Sequence, residues 1–255
     1  MQISGLQKLS LIDYPDKMAC TVFLAGCNFR CPWCYNPELV LPEKIKNGNK
    51  ISEQEFLDFL ETKKGMLDGV VLCGGEPTIN AELVDFCRKI KMLGYAIKLD
   101  TNGSNPKMLK RLIDEHLVDY IALDVKATKE KYIRVIGVEK QHNFQDLRLK
   151  FWDKNIIRNI EESIKVLRQG KVDYEFRTTV VPGFLDKKDI VEIARWISPP
   201  PSIGHGRVEK YFLQGFRAGK TLDPSFSKLK PYSKEKMMEI LKAIEPFFAI
   251  CRLRI

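Results

Sequence analysis

The chain has 255 residues, is 44% hydrophobic and carries 42 Lys and Arg against 33 Asp and Glu, a formal charge of +9. It can bury a full core as one domain, and no apolar run approaches the roughly 20 residues that span a bilayer; Met1 to Ser10 lack the pattern of a signal peptide, so a cytoplasmic protein is expected and a membrane protein excluded. The basic charge favours acidic partners, but Lys and Arg are spread along the chain, and no basic run interleaved with aromatics marks a nucleic-acid surface.

In chain order, Met18 to Leu24 reads as a first strand that stops where a cysteine-rich loop begins. Ser52 and Glu55 form a capping-box pattern ahead of a helix that turns Phe56, Leu57 and Leu60 inward. Val70 to Cys73 is a second strand. Asn80 is expected to cap a helix bearing Leu83, Val84, Cys87 and Ile90, closed by Gly94. Tyr95 to Leu99 is a third strand, and Asn105 with Pro106 starts the next helix. Tyr120 to Val125, Tyr174 to Val181 and Val208 to Leu213 are the remaining strands. Between them lie a helix with Ile157, Ile160, Ile164 and Leu167, closed by Gly170, and one capped by Asp186 and broken at Pro199, Pro200 and Pro201. A last helix runs from about Ser233 to near Pro246. Strands alternating with helices imply βαβ units and a parallel sheet, hence an α/β fold.

Three of the seven cysteines, Cys27, Cys31 and Cys34, fall within eight residues, with Phe29 and Trp33 placed to shield a bound centre. An odd cysteine count in such a chain argues for metal binding over a disulfide framework. Structural zinc wants four protein ligands, and no second Cys or His pair follows. A four-iron cluster held by three thiolates keeps one iron open, and an open iron can chelate a molecule that carries an amine and a carboxylate, as S-adenosylmethionine does. Cys20, Cys73 and Cys87 read as buried packing, Cys251 has no assigned role, and His116, His142 and His205 are scattered.

The C-x3-C-x2-C spacing with Trp33 before the last Cys resembles the signature of radical S-adenosylmethionine (radical SAM) enzymes. That resemblance implies a partial (β/α)6 TIM-type barrel, with the barrel core at about 17–215 and a C-terminal helix and tail at about 220–255. It implies Cys27, Cys31 and Cys34 as ligands of one 4Fe-4S cluster, and Trp33 beside cluster and adenine. In such barrels the active site lies at the C-terminal ends of the strands. Here those ends carry Gly74-Gly75-Glu76, Asp100-Thr101, Asp124 with Lys126, Arg177 and Gln214. Gly74, Gly75 and Glu76 resemble the family motif that holds the amino group of S-adenosylmethionine.

Asp100, Thr101 and Asp124 are oxygen acceptors suited to ribose hydroxyls or a hard cation. The D-T-N-G and D-V-K stretches, with Val180 to Gly183 after Arg177, resemble glycyl-radical-enzyme activases, in which the corresponding acids help bind a monovalent cation. The same match gives Lys126 and Arg177 an electrostatic role at the cofactor or transition state, with ion pairing to nearby acids as the alternative. Gly5 to Pro15 resembles, within that group, the anaerobic ribonucleoside-triphosphate reductase activating proteins. The implied reaction cleaves S-adenosylmethionine reductively to a 5′-deoxyadenosyl radical and installs a glycyl radical on a partner enzyme. With no second cysteine cluster, the electron would come from an external donor such as flavodoxin or ferredoxin. The other function class is a radical SAM enzyme acting on a small molecule of deazapurine type, or on RNA. Tyr35 and Phe216 stand where relatives carry His, and 139–154 reads as an insertion.

Overall fold

The computed structural model describes residues 1–137, 147–198 and 208–255, with 147–154 described as backbone only. Most of the 139–154 insertion, the triple proline, His142 and His205 lie outside the described residues, as far as their side chains are concerned. Eight strands follow one another in sequence order in the sheet, β1 (Ile3–Ser10), β2 (Ala19–Leu24), β3 (Gly69–Gly74), β4 (Ala96–Thr101), β5 (Tyr120–Asp124), β6 (Asp173–Val180), β7 (Val208–Gly215) and β8 (Phe248–Arg254). Two compact units are assembled from alternating stretches of the chain. The first comprises Met1–Asn28, Asn36–Ala122 and Gly170–Asp173, and the second Phe29–Tyr35, Leu123–Gln169 and Tyr174–Ile255.

In the first unit β2, β3 and β4 run parallel, with Leu24 opposite Gly74 and Leu72 opposite Leu99. The helices are α1 (Pro42–Lys46), α2 (Glu53–Glu61), α3 (Leu83–Met92) and α4 (Pro106–Asp114). The expected capping box is present: the Glu55 N–H donates to the Ser52 hydroxyl, and the Glu55 carboxylate accepts the Ser52 N–H. It fixes the start of α2, so that Phe56 and Leu60 are fully buried and Phe56 meets Phe86 of α3 at 5.6 Å. Each such side chain contributes about 2 kcal/mol through burial. Asn105 caps α4 as expected. Asn80 does not cap α3: it closes a 3-10 turn, Pro77–Ile79, and Glu82 stands at the helix start without a side-chain cap bond. Cys20 and Cys87 are buried as expected, and Cys73 is half-buried.

The second unit holds α5 (Tyr132–Val135), α6 (Leu147–Arg168), α7 (Lys187–Ile197) and α8 (Lys234–Ile244), with β6, β7 and β8 parallel. Asp186 caps α7 by accepting the N–H groups of Lys188 and Asp189. Tyr211 stacks on Phe248 at 4.6 Å and donates to the Thr178 hydroxyl, which donates in turn to the Val125 carbonyl. This chain of bonds ties the end of β5 to β6 and β7 in a buried core.

Two strands, β1 and β8, were not expected from the sequence. β1 runs antiparallel to β2 and is exposed over Gln7, Lys8 and Leu9, whereas β8 exposes Ala249, Arg252 and Arg254. Each is the last strand at one end of the strand order, where only part of a strand is buried and the alternation of polar and apolar residues is diluted. Among the described residues no helix is long and apolar enough to cross a membrane.

Candidate active site

The end of β3 is drawn against the end of β2 by backbone bonds. The Gly75 N–H donates to the Leu24 carbonyl at 2.8 Å and the Glu76 N–H to the Gly26 carbonyl at 2.7 Å. A Cβ at Gly74 would lie 2.4 Å from the Leu24 backbone, and one at Gly75 would lie 1.9 Å from the Gly26 oxygen. Both positions therefore require glycine, and Gly74 also takes φ +118°. The close approach holds the backbone that leads into Cys27.

Glu76 is 1% exposed. Its Oε1 accepts the Thr78 N–H at 3.1 Å and the hydroxyls of Thr78 at 2.5 Å and Thr101 at 2.7 Å, while Oε2 accepts the Asn102 N–H at 2.6 Å. Burial raises its pKa, and the hydrogen bonds from Thr78, Asn102 and Thr101 offset part of that rise. The carboxylate expected to face a cofactor amine is thus the knot that joins the end of β3 to the end of β4. Thr101, expected as a cofactor acceptor, donates into the same knot and accepts the Gly103 N–H at 3.1 Å. Asn102 extends the network by donating to Asn28 in the cysteine loop at 3.0 Å, and Asn28 donates to Ser104 at 2.8 Å. Asp100 stands beside this knot and pairs with Lys98, a lysine only 2% exposed.

In the second unit Asp124, Lys126 and Arg177 come together. Asp124 Oδ1 accepts from Arg177 Nε at 2.9 Å and Oδ2 from Lys126 Nζ at 2.8 Å. Burial opposes ionisation of Asp124, but the two adjacent cations outweigh it and hold the carboxyl well below the usual range. The ion-pairing alternative thus describes the contacts of Lys126 and Arg177. The series continues along β6 and β8: Arg177 lies 4.0 Å from Glu175, which is 1% exposed and accepts two bonds from Arg254, at 2.9 and 3.2 Å.

Cys27 belongs to the first unit, and Cys31 and Cys34 to the second. The Cys34 N–H donates to the Cys31 carbonyl at 2.9 Å, and Arg30 ties the loop to the end of α5 by donating to the Ile136 carbonyl at 2.7 Å. Burial pushes the Cys31 thiol up to about 11, with the Lys126 charge acting the other way and Cys34 adding to the rise. Among the described residues no group of three or more His, Cys, Asp or Glu side chains is gathered as a metal site. What fits the triad to an iron-sulfur cluster is its donor chemistry: all seven cysteines are thiols, the soft ligands such a cluster takes. Phe29 and Trp33 are buried in the loop, with Trp33 edge-on to Phe184 at 5.6 Å and near Phe226 at 6.2 Å. The two positions that depart from the His of relatives meet: the Tyr35 and Phe216 rings stack at 6.3 Å, and the Tyr35 hydroxyl accepts the Arg217 N–H.

A bound monovalent cation fits these acids poorly, because Asp100 already faces Lys98 and both oxygens of Asp124 are taken by side-chain cations. Sequence reasoning missed Lys98, Thr78 and Tyr132. Only Lys98 carried a signal, since it stands two residues before Asp100 and so on the same face of its strand.

The family model of the radical SAM superfamily matches residues 21–197. A protein of Methanocaldococcus jannaschii described as "Putative glycyl-radical enzyme activating enzyme" is 31% identical over 247 residues, 96% of this chain and 92% of its own. The 7-carboxy-7-deazaguanine synthase of Aquifex aeolicus is 28% identical over 58% of this chain and 64% of its own. The pyruvate formate-lyase-activating enzyme of Clostridium pasteurianum is 25% identical over 61% of this chain and 68% of its own. The motif-bearing loop, the parallel strands and these matches agree: the chain belongs to the radical SAM superfamily and, within it, to the glycyl-radical enzyme activating enzymes.

Proposed function

We propose that this protein, acting as one radical SAM domain over 1–255, installs a glycyl radical on a partner enzyme, anaerobic ribonucleoside-triphosphate reductase, using an external donor of the flavodoxin or ferredoxin type. The observation that carries this reading is similarity to a glycyl-radical enzyme activating enzyme over 96% of the chain, against 58% for the deazaguanine synthase. Cys27, Cys31 and Cys34 would hold a 4Fe-4S cluster, which when bound would supply the one-electron reduction that cleavage of S-adenosylmethionine requires, so that a hydrogen atom can be taken from the partner's glycine.

The chain's own residues aim and protect that chemistry. Phe29 and Trp33 keep water from the cysteine loop, with Trp33 assigned to the cluster and adenine side. Gly74 and Gly75 bring the β3 backbone to the start of the loop, and Glu76 acts by fixing that backbone together with Thr101 and Asn102, so that the strand ends present the cofactor amine with preformed partners. Asp100 and Asp124 serve the ribose and methionine parts by holding Lys98, Lys126 and Arg177 in place at the strand ends. Lys98, Lys126 and Arg177 supply the positive charge for which the resemblance suggested a monovalent cation.

Iron and sulfide analysis of anaerobically reconstituted protein, with paramagnetic resonance, tests the assignment. Ala at any of Cys27, Cys31 or Cys34 should abolish the cluster, and Cys251→Ala should leave it intact. Equal loss from all four, or stoichiometric zinc with no iron uptake, would refute it.

A further inference from the structure

The reaction proposed above takes a hydrogen atom from a backbone glycine of another polypeptide, so a segment of that polypeptide has to lie open beside this chain. The second unit carries a strand suited to receive one. β8 is the last strand of the order and, among the described residues, pairs with β7 alone, so its other edge presents a row of N–H and C=O groups to an added strand.

One face of β8 also carries directed charge. Arg254 lies over the Phe212 ring, 3.7 Å from its centroid, and donates from both Nη atoms to the buried carboxylate of Glu175. The end of the strand is seated as well, since a Cβ at Gly215 would lie 2.7 Å from the Ile255 side chain. A guanidinium has more N–H donors than one carboxylate takes up, and Arg254, with 41% of its side chain exposed, keeps an outer edge for a second acceptor. Arg252 stands two residues earlier, opposite Phe212 in the register, and so shares that face. It is exposed and forms no ion pair among the described residues.

Cations outnumber acids on this face after every ion pair is counted. Asp124 is shared by Lys126 and Arg177, and Glu175 by Arg177 and Arg254, which leaves Arg252 without a counter-charge. β8 contains no acid, and Glu209, the one acid of β7, falls on the opposite face. Charge on an edge strand also guards against unwanted pairing. Arg254 does more than guard, because Glu175 and Phe212 hold it in one orientation, in the same series of contacts that reaches Asp124.

We propose that Arg252 and Arg254 form a carboxylate-binding site on the open edge of β8, occupied by an extended acidic segment of the partner polypeptide. The segment pairs with β8 through its backbone, and its alternate side chains, at the same spacing as the two arginines, bring carboxylates to them. That the occupant is a polypeptide rests on the function proposed above. A nucleic acid would meet the charge but would leave the backbone edge unused.

The test measures binding of a short labelled peptide, a central glycine flanked by alternating threonine and glutamate, beside the same peptide with glutamine for glutamate and a single-stranded RNA of similar length. Reconstituted wild type should bind the glutamate peptide about tenfold more tightly than the glutamine peptide at low salt, and less so as salt rises. Arg252→Glu should abolish that preference and Arg252→Lys should keep part of it; neither removes a contact of the folded chain. Arg254→Lys, which lacks the fork that can serve Glu175 and a second carboxylate together, should reduce the preference severalfold. Binding of intact anaerobic ribonucleoside-triphosphate reductase should weaken in the same order. Equal binding of the two peptides by wild type, or a preference that survives Arg252→Glu, would overturn the inference. So would RNA binding that Arg252→Glu abolishes in a protein indifferent to the peptides, or an equal fall in affinity for S-adenosylmethionine, which would place the arginines at the cofactor. A glutamate preference that depends on Arg252, with no radical ever formed on the reductase, would overturn the partner named above and leave this site standing.

Discussion

Glu76 and Asp124 are both carboxylates at or just beyond the C-terminal end of a strand, and the two units hold them in opposite ways. Glu76 is sealed from water and faces only neutral donors, two hydroxyls and two backbone N–H groups. Asp124 is partly open and sits between a guanidinium and an ammonium. Burial raises the pKa of the first, whereas the cations overcome burial and lower that of the second. The contrast separates two tasks that a shared position in the fold would otherwise merge. Glu76 fixes loops in place, and Asp124 anchors a cluster of charge.

Removing Glu76 should have the largest effect on stability. Glu76→Ala leaves four buried donors without their acceptor, and we expect a loss of about 3–5 kcal/mol in denaturant unfolding, little altered by salt. A loss below about 1 kcal/mol, the range of an ordinary surface substitution, would show that the knot is not structural. Asp124→Asn should cost less, about 2 kcal/mol, because the two stranded cations are partly hydrated, and the cost should shrink as salt rises. A cost that ignores salt would remove the distinction between the two carboxylates.

The subtlest difference lies in pH dependence. The folded pKa of Glu76 is raised, so its contribution to stability is fully present below its unfolded value of about 4.5 and is lost as pH rises through the folded value. That of Asp124 is lowered, so its contribution is present above about 3.8 and is lost as pH falls toward the folded value. Stability differences between wild type and Glu76→Gln, and between wild type and Asp124→Asn, should therefore slope in opposite directions with pH. Parallel slopes would mean that the two carboxylates do not sit in opposite electrostatic environments.

Much of this could be read from residues alone where local chemistry decides the outcome. Ser52 with Glu55, Asn105 with Pro106, and Asp186 each start a helix, because a capping side chain satisfies donors a few residues away. The cysteine spacing and the strand-end acids were legible for a similar reason, since each stands at a break in an apolar run. What escaped depends on contacts distant in sequence. Glu76 became a buried knot only because Thr101 and Asn102, about 25 residues onward, close over it. Asn80 lost its capping role to a turn that begins at Glu76. β1 and β8 escaped because strands with one neighbour keep only part of their pattern buried. Tyr132 gave no sign, because the Trp196 ring that it meets lies far along the chain.

On the proposed function this chain makes a radical on another protein. Its most direct test mixes the anaerobically reconstituted protein with S-adenosylmethionine, a reductant and anaerobic ribonucleoside-triphosphate reductase, and follows both paramagnetic resonance and 5′-deoxyadenosine. A glycyl radical is expected on the reductase, needing both S-adenosylmethionine and the reduced cluster, with 5′-deoxyadenosine formed alongside it. Formation of 5′-deoxyadenosine with no radical on the reductase or on any other glycyl radical enzyme, while a small purine precursor or RNA is modified instead, would contradict it.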